Sequence, residues 1–314
     1  MSGSSGAAGS EAARGPALGI ALKLAATFFF SLMYVAIRLA PDAPIGEVVF
    51  FRGLFALVPV LALSYATNGP SALIRTERPW LHLRRAIAGA ASMFLNFYAV
   101  TRIPLAELTA FSFVMPIFAT VLAALVLGER VGPHRAVAVV AGFSGVLLMT
   151  QAHGAPDFHS SGGASLGAAA AIGGALLSAF VVVFIRHMSA TESSEAIVFF
   201  FMSACAASGA VAMAFERPTF SPAELGWLVA CGVLGGAGQV CMTYSYRFAE
   251  PSLLAAFDYT AMVWAVAFGF FIFAERPAAL VLAGAGVVIA SGLYIGWRER
   301  RLHRRRLASA LIAS

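Results

Sequence analysis

The chain has 314 residues, 60% of them hydrophobic and 11% charged, with a net charge of +6 and a mean hydropathy of +0.84. A soluble domain carries roughly 25% charged residues, so this composition excludes an ordinary water-soluble protein and points to a membrane. The basic excess does not indicate nucleic acid: Lys23 is the only lysine, and most arginines stand in short connections between apolar runs or at the C-terminus, where they orient a membrane chain.

Residues 1–15 are rich in Gly, Ser and Ala and read as a disordered cytoplasmic N-terminus. Ten apolar runs follow, at about 16–37, 45–66, 84–101, 106–127, 134–151, 165–185, 195–214, 224–246, 251–274 and 278–297. Each is near the ~20 residues that a membrane helix requires. Their continuous apolar character, without alternation, suits helices rather than a barrel. Loop 152–164 separates the first five spans (16–151) from the last five (165–297), and residues 298–314 form a basic tail. With the N-terminus inside, fifteen arginines fall on the cytoplasmic side and four outside, so both termini are predicted to be cytoplasmic. Cys205, Cys231 and Cys241 lie within apolar spans and read as small buried hydrophobes.

Two stretches resemble each other. Pro104–Arg130 reads PLAELTAFSFVMPIFATVLAALVLGER and Glu250–Arg276 reads EPSLLAAFDYTAMVWAVAFGFFIFAER. At an offset of 146, Leu108 falls on Leu254, Ala110 and Phe111 on Ala256 and Phe257, and Glu129 and Arg130 on Glu275 and Arg276. At an offset of 148, Gly19, Ile37, Arg38, Glu47 and Phe51 fall on Gly167, Ile185, Arg186, Glu195 and Phe199. Spans 1–5 therefore recur as spans 6–10. Five is odd, so the second copy enters from the opposite face. The predicted fold is an all-α membrane protein of ten transmembrane helices built as two inverted five-helix repeats. Such a repeat is suited to alternating access around a site near the midplane.

Polar groups at membrane depth are costly and mark candidate sites. Asp258 lies well inside span 9, and its repeat partner is Ser112. Tyr259 and Met262 accompany Asp258, and Met115 and the mid-helix Pro116 follow Ser112. Proline at that position is expected to kink span 4 or free a carbonyl. On span 3, Met93 and Asn96 share a stripe with Gly89 and Val100; shifted by 146 they become Gln239, Met242, Gly235 and Tyr246 on span 8. These stripes are expected to face the interior, either lining a cavity or joining helices. Span 1 offers Ser31 and Tyr34. The candidate substrate-binding set is thus Ser31, Tyr34, Met93, Asn96, Ser112, Met115, Gln239, Met242, Tyr246, Asp258, Tyr259 and Met262. Lys23 reads as a snorkelling residue near the cytoplasmic end of span 1. Arg52 reads as structural, paired with a carboxylate such as Glu47, with contact to a substrate carboxylate as the alternative.

Enzymatic readings find little support. Gly142-Phe143-Ser144-Gly145 matches the G-x-S-G of rhomboid proteases, but no later span clearly contains the histidine they need. H-E-x-x-H, P-loop and paired-Asp patterns are missing, so no metal or cofactor is implied. The tail Arg298–Arg306 reads as a topology determinant that contacts anionic lipid.

The segment MPIFATVLAALVLGERVG, residues 115–132, resembles the end of an EamA domain of the drug/metabolite transporter superfamily, and AMVWAVAFGFFIFAERP, residues 261–277, resembles the same place in a second copy. The resemblance covers nearly the whole chain. It implies a ten-helix carrier in the bacterial inner membrane, with cytoplasmic termini and a central cavity lined largely by spans 1, 3, 4, 6, 8 and 9. It further implies a non-enzymatic secondary transporter for small polar metabolites, most readily an exporter of aromatic or neutral amino acids. Uptake of a metabolite such as S-adenosylmethionine and a non-transporting scaffold are the alternatives. The expected partners are a small-molecule substrate and the lipid bilayer. A monomer is compatible with the sequence, which does not set the oligomeric state. Span 1 lacks the acid that small multidrug pumps of the superfamily use, which counts against a cationic-drug pump.

Overall fold

The computed structural model describes residues 5–67, 69, 71–74, 76–115, 117–119, 121–122, 133–151, 163–188, 192–215, 221–248, 254 and 257–313. Pro116, the loop 152–162, and Glu129 and Arg130 lie outside the described residues, and the side chains of Arg186 and Tyr246 do as well. The described helices are α1 (Ser5–Arg38), α2 (Ile45–Thr67), α3 (Ser71–Ile74), α4 (Pro79–Val100), α5 (Leu105–Ser112), α6 (Pro133–Gln151), α7 (Gly163–Met188), α8 (Ser194–Phe215), α9 (Pro222–Phe248), α10 (Thr260–Phe273) and α11 (Ala279–Ala313).

Among the described residues, five helices are long and apolar enough to cross a membrane: Ala17–Arg38 within α1, Ile45–Ala62, Gly163–Val181, Glu195–Phe215 and Pro222–Met242. Four shorter apolar segments lie in spans 4, 5, 9 and 10. The 22-residue α4 accounts for span 3. The large apolar side chains left outside, such as Phe215, Phe271 and Val140, suit a lipid-facing surface.

The helix pairs reveal the repeat. α1 packs on α9, and the equivalent α7 packs on α4; α2 packs on α9, and α8 on α4. α1 meets α10, and α7 meets α5. The pairs α2–α8, α5–α10 and α6–α11 map onto themselves when the halves are exchanged. This all-α membrane fold is therefore two five-helix repeats whose main contacts cross from one half to the other. Small residues permit the closest approaches. A Cβ on Gly145 would stand 2.7 Å from the Gly284 carbonyl oxygen, and one on Gly209 2.4 Å from the Phe50 backbone nitrogen. In a bilayer, where apolar helices gain little by leaving lipid, such backbone proximity supplies much of the packing energy.

Spans 4 and 9 are not the continuous helices expected from their length. α5 ends at Ser112, with Phe113 as its C-terminal cap, and α10 starts after Tyr259. The two interruptions coincide under the 146 offset. At each, backbone bonding tightens to an i to i−3 pattern: Val114 N–H donates to Phe111 O at 3.1 Å, and Met262 N–H to Tyr259 O at 3.1 Å. The Phe113 and Tyr259 rings meet edge to face, 5.0 Å between centroids, where the two breaks face each other.

Candidate functional site

The interruption in span 9 holds Asp258, and the structure gives it a partner. Lys23 Nζ lies 2.6 Å from Asp258 Oδ1. Lys23 does not snorkel to the surface: its side chain is 2% exposed, whereas the Asp258 side chain is 49% exposed. The reason is position. Lys23 sits on the face of α1 that packs against α10, so its four-carbon stem runs through protein and not toward a headgroup. One turn further, the hydroxyls of Thr27 and Thr260 lie 3.0 Å apart. Phe28 then packs edge-on against Trp264 and Phe268, at 5.2 and 5.9 Å. The Trp264 indole N–H is buried and finds no hydrogen-bond acceptor among the described residues. Lys23, Thr27, Ser31 and Tyr34 form one stripe on α1, about 16 Å long at 1.5 Å per residue. Ser31 is buried at 6% exposure and Tyr34 is half-buried.

The far end of this stripe meets a second charged centre. Arg52 on α2 is 3% exposed. It does not pair with Glu47. Its Nη2 donates to Gly235 O at 3.1 Å, its Nε to the Met33 sulfur at 3.1 Å and its Nη1 to the Met202 sulfur at 3.5 Å. Arg52 thus ties α1, α2, α8 and α9 together through weak neutral acceptors, and Tyr34 lies within its electrostatic reach. Arg85, counted above only as an orienting charge, is also buried, at 5% exposure. Its guanidinium lies over the Phe201 ring, 3.8 Å from the centroid. Its neighbour Arg84 is the one that stays at the surface, over Trp80.

The remaining candidates divide. Ser112 donates to Thr109 O at 2.7 Å within its own helix. Asn96 donates to Ser92 O at 2.8 Å and packs on Gly174, while Ser92 Oγ bonds Gly174 O and Ser178 Oγ at 2.9 and 2.8 Å. Asn96 therefore belongs to the α4–α7 seam, the helix-joining role weighed beside cavity lining. Met93 packs half-buried against the main core, as do Tyr259 and Met262; Gln239 and Met242 are half-buried on α9 and Met115 in span 4. The Tyr259 hydroxyl reaches toward α11, where a Cβ on Gly292 would collide with it. The structure joins Asp258, Ser31 and Tyr34 through α1. Lys23, Thr27, Trp264 and Arg85 were not among the sequence candidates. The signal available for Lys23 was that the one lysine and an acid well inside its span stand at similar depth from the same predicted face.

Two networks stand at the ends of the bundle. At the predicted outer end, Ala274 takes a left-handed conformation (φ 54°) that closes α10 and turns Glu275 back. Glu275 pairs with Arg38 and accepts from the Leu105 backbone N–H at 3.0 Å, so it caps α5. At the predicted inner end, Glu192 accepts from the backbone N–H groups of Glu77 and Arg78, each at 3.1 Å, and pairs with His82 Nε2 at 3.1 Å. Burial pushes the Glu192 carboxyl up, but its bonds to His82, Thr76 and the Glu77 N–H outweigh that and hold it below its ordinary value. Among the described residues no group of three or more His, Cys, Asp or Glu side chains is placed to hold a metal.

The repeat, the crossed helix pairs and the paired interruptions define a duplicated helical membrane protein. The chain belongs to the EamA-like transporter family, which matches residues 17–151 and 165–297, one domain per repeat. It is 30% identical over 278 residues to the pseudopaline exporter of Pseudomonas aeruginosa, covering 87% of this chain and 94% of that one. It is 26% identical to a riboflavin transporter of Rhizobium johnstonii, over 83% of this chain and 84% of that protein. A third relative is the S-adenosylmethionine uptake transporter of Rickettsia conorii, 28% identical over 83% of this chain and 85% of that protein. A solved crystal structure superimposes with a TM-score of 0.62 over 90% of this chain and 98% of its own, at 20% identity, and shares the fold.

Proposed function

We propose that this transporter moves a small zwitterionic metabolite, an amino acid or an amino-acid-derived compound, out of the cell across the bacterial inner membrane. The Lys23–Asp258 pair carries this reading. A carboxylate half open to its surroundings and held by one ammonium group can exchange that partner for the ammonium of a substrate, or for a proton. Either exchange would couple occupancy to the seam between α1 and α10, which belong to different repeats. The neighbouring Thr27–Thr260 hydroxyls and the Trp264 indole N–H, without an acceptor among the described residues, supply further polar partners beside aromatic surface.

On this reading both termini lie in the cytoplasm. The Arg38–Glu275 and Glu192–His82 networks are placed at opposite mouths, as closures that open in turn. Uptake is the second reading, favoured by the resemblance to the S-adenosylmethionine uptake transporter. Purified protein in liposomes, offered a panel of radiolabelled amino acids, riboflavin and S-adenosylmethionine with and without a pH gradient, separates these readings. Counterflow of an amino acid is expected. Movement of the nucleoside-type compounds alone would favour uptake, and movement of none would remove the carrier assignment for this class. Reporter fusions at residue 160 and at the C-terminus should lie outside and inside respectively; a cytoplasmic position 160 contradicts the inverted topology.

A further inference from the structure

The structure holds two buried arginines, Arg52 and Arg85, with no carboxylate paired to them among the described residues. Arg85 is 5% exposed, and its Nε and Nη1 atoms are buried without a hydrogen-bond acceptor among the described residues. The face of the Phe201 ring meets its charge. Arg52, 3% exposed, approaches the same helix at the adjacent Met202 and otherwise bonds one carbonyl and one further thioether. Cys205, one turn along α8, lies within electrostatic reach of both guanidiniums. Two cations thus straddle one turn of α8.

Such an arrangement needs a reason. A buried guanidinium without an anion is unfavourable, because burial removes hydration that neutral thioethers and a ring face do not replace. A helix that needed only packing at position 85 could use methionine or leucine. Guanidinium donors are matched to a carboxylate, and the Nε and Nη1 donors of Arg85 leave hydrogen-bonding capacity that such a group would take up. The preceding turn ends in a fixed anchor, since His82 is held by Glu192. Glu192 is itself satisfied by two backbone N–H groups, so it is committed elsewhere.

We propose that Arg85, with Arg52 behind it, is the anion-recognition point of the carrier and receives a carboxylate of the substrate. This rests on the carrier reading and narrows it: the substrate class is organic acids, zwitterionic amino acids included, and excludes purely cationic amines.

The test is thermal unfolding of the detergent-purified protein with matched probes: acetate, succinate, L-glutamate and L-phenylalanine, each beside its amide, and phenethylamine. At least one carboxylate should raise the wild-type melting temperature while its amide does not. Arg85→Gln should weaken that response roughly ten- to a hundredfold in apparent affinity, the loss of a charge-assisted hydrogen bond. Arg85→Lys should retain part of it. Arg85→Met, which keeps the packing against Phe201, guards against a folding defect in the glutamine variant and should also lose the response. Equal effects of acid and amide, an unchanged response in both Arg85→Gln and Arg85→Met, or no response to any carboxylate in the wild type would each overturn the proposal. Counterflow of phenethylamine alone would do the same while leaving the carrier reading intact.

Discussion

The α1–α10 seam and the α7–α5 seam occupy equivalent places in the two repeats, yet they differ in chemistry. In the first, Lys23 faces Asp258. In the second, the equivalent positions are Ala171 and Ser112, and the serine bonds its own helix. The adjoining seams show the opposite bias. Ser92 joins α4 to α7 by hydrogen bonds to Ser178 and the Gly174 carbonyl, with Asn96 bonded back to Ser92, whereas Gly238 and Phe30 pack apolar surface at the matching place between α9 and α1. The duplicated fold supplies two similar scaffolds. One seam holds the ion pair and the other is fastened, so the site is asymmetric although the architecture is symmetric.

The largest effect should come from breaking the charged seam. Lys23→Met leaves the Asp258 carboxylate without its partner, and transport should fall by at least about tenfold, as for the loss of a hydrogen bond to a charged group. The stability cost should be about 1–3 kcal/mol, limited because half of the Asp258 side chain is open. Removing both partners, in Lys23→Met with Asp258→Asn, should leave a protein with a higher melting temperature than Lys23→Met alone. A double variant less stable than the single would show that the pair holds the fold together.

Transplanting the pair sharpens the comparison. Ser112→Asp alone places a carboxylate beside the Phe113–Tyr259 contact, and the purified yield should drop. Adding Ala171→Lys should restore it if the seams are geometrically equivalent. Without rescue, the interruption of span 4 differs from that of span 9 in more than composition.

A smaller difference is expected between two glycines that the repeat equates. A Cβ on Gly235 would stand 2.2 Å from Arg52 Nε, and one on Gly89 2.6 Å from the Phe201 ring. Each alanine substitution should cost roughly 1–3 kcal/mol by overpacking. Gly235→Ala should cost more, since displacing the guanidinium also breaks its bond to the Gly235 carbonyl. Melting temperatures of the two variants decide this.

The smallest effect concerns pH at the predicted inner mouth. Glu192 has a carboxyl held below its ordinary value of 4.5. Its contribution to stability is therefore fully present above that value and declines as pH falls through the lower folded-state value. The melting temperature of wild type should drop more steeply below pH 4.5 than that of Glu192→Gln. Parallel curves would mean that the carboxylate adds nothing there.

Much of this architecture was legible in the sequence. Ten apolar runs and charged matches at fixed offsets were enough for the helix class and the duplication, because membrane burial constrains composition directly. Asp258 stood out because an acid at depth is rare. The pairing of Asp258 with Lys23 was not legible, since it depends on α1 lying beside α10, 235 positions away. Lysine stems also reach the surface as readily as a buried partner. Arg85 was obscured by its neighbour: two adjacent arginines at a helix start read as one orienting pair, and only packing on α8 separates the buried member from the exposed one. The break in span 4 was signalled by Pro116. The matching break in span 9 carries no proline to announce it.

The central claim is that Asp258 is the working group of a carrier and not a structural acid. The direct measurement is Asp258→Asn in liposomes, with counterflow and pH-driven accumulation recorded on the same preparation. The substrate is whichever panel amino acid the wild type moves. If the carboxylate binds substrate ammonium, both activities should fall at least about tenfold, as expected for a lost charged hydrogen bond, and by more than any accompanying drop in membrane level and melting temperature explains. If it exchanges protons, counterflow should survive and accumulation should vanish. Transport and pH dependence equal to wild type would contradict the account, and so would activity that falls only in step with the melting temperature.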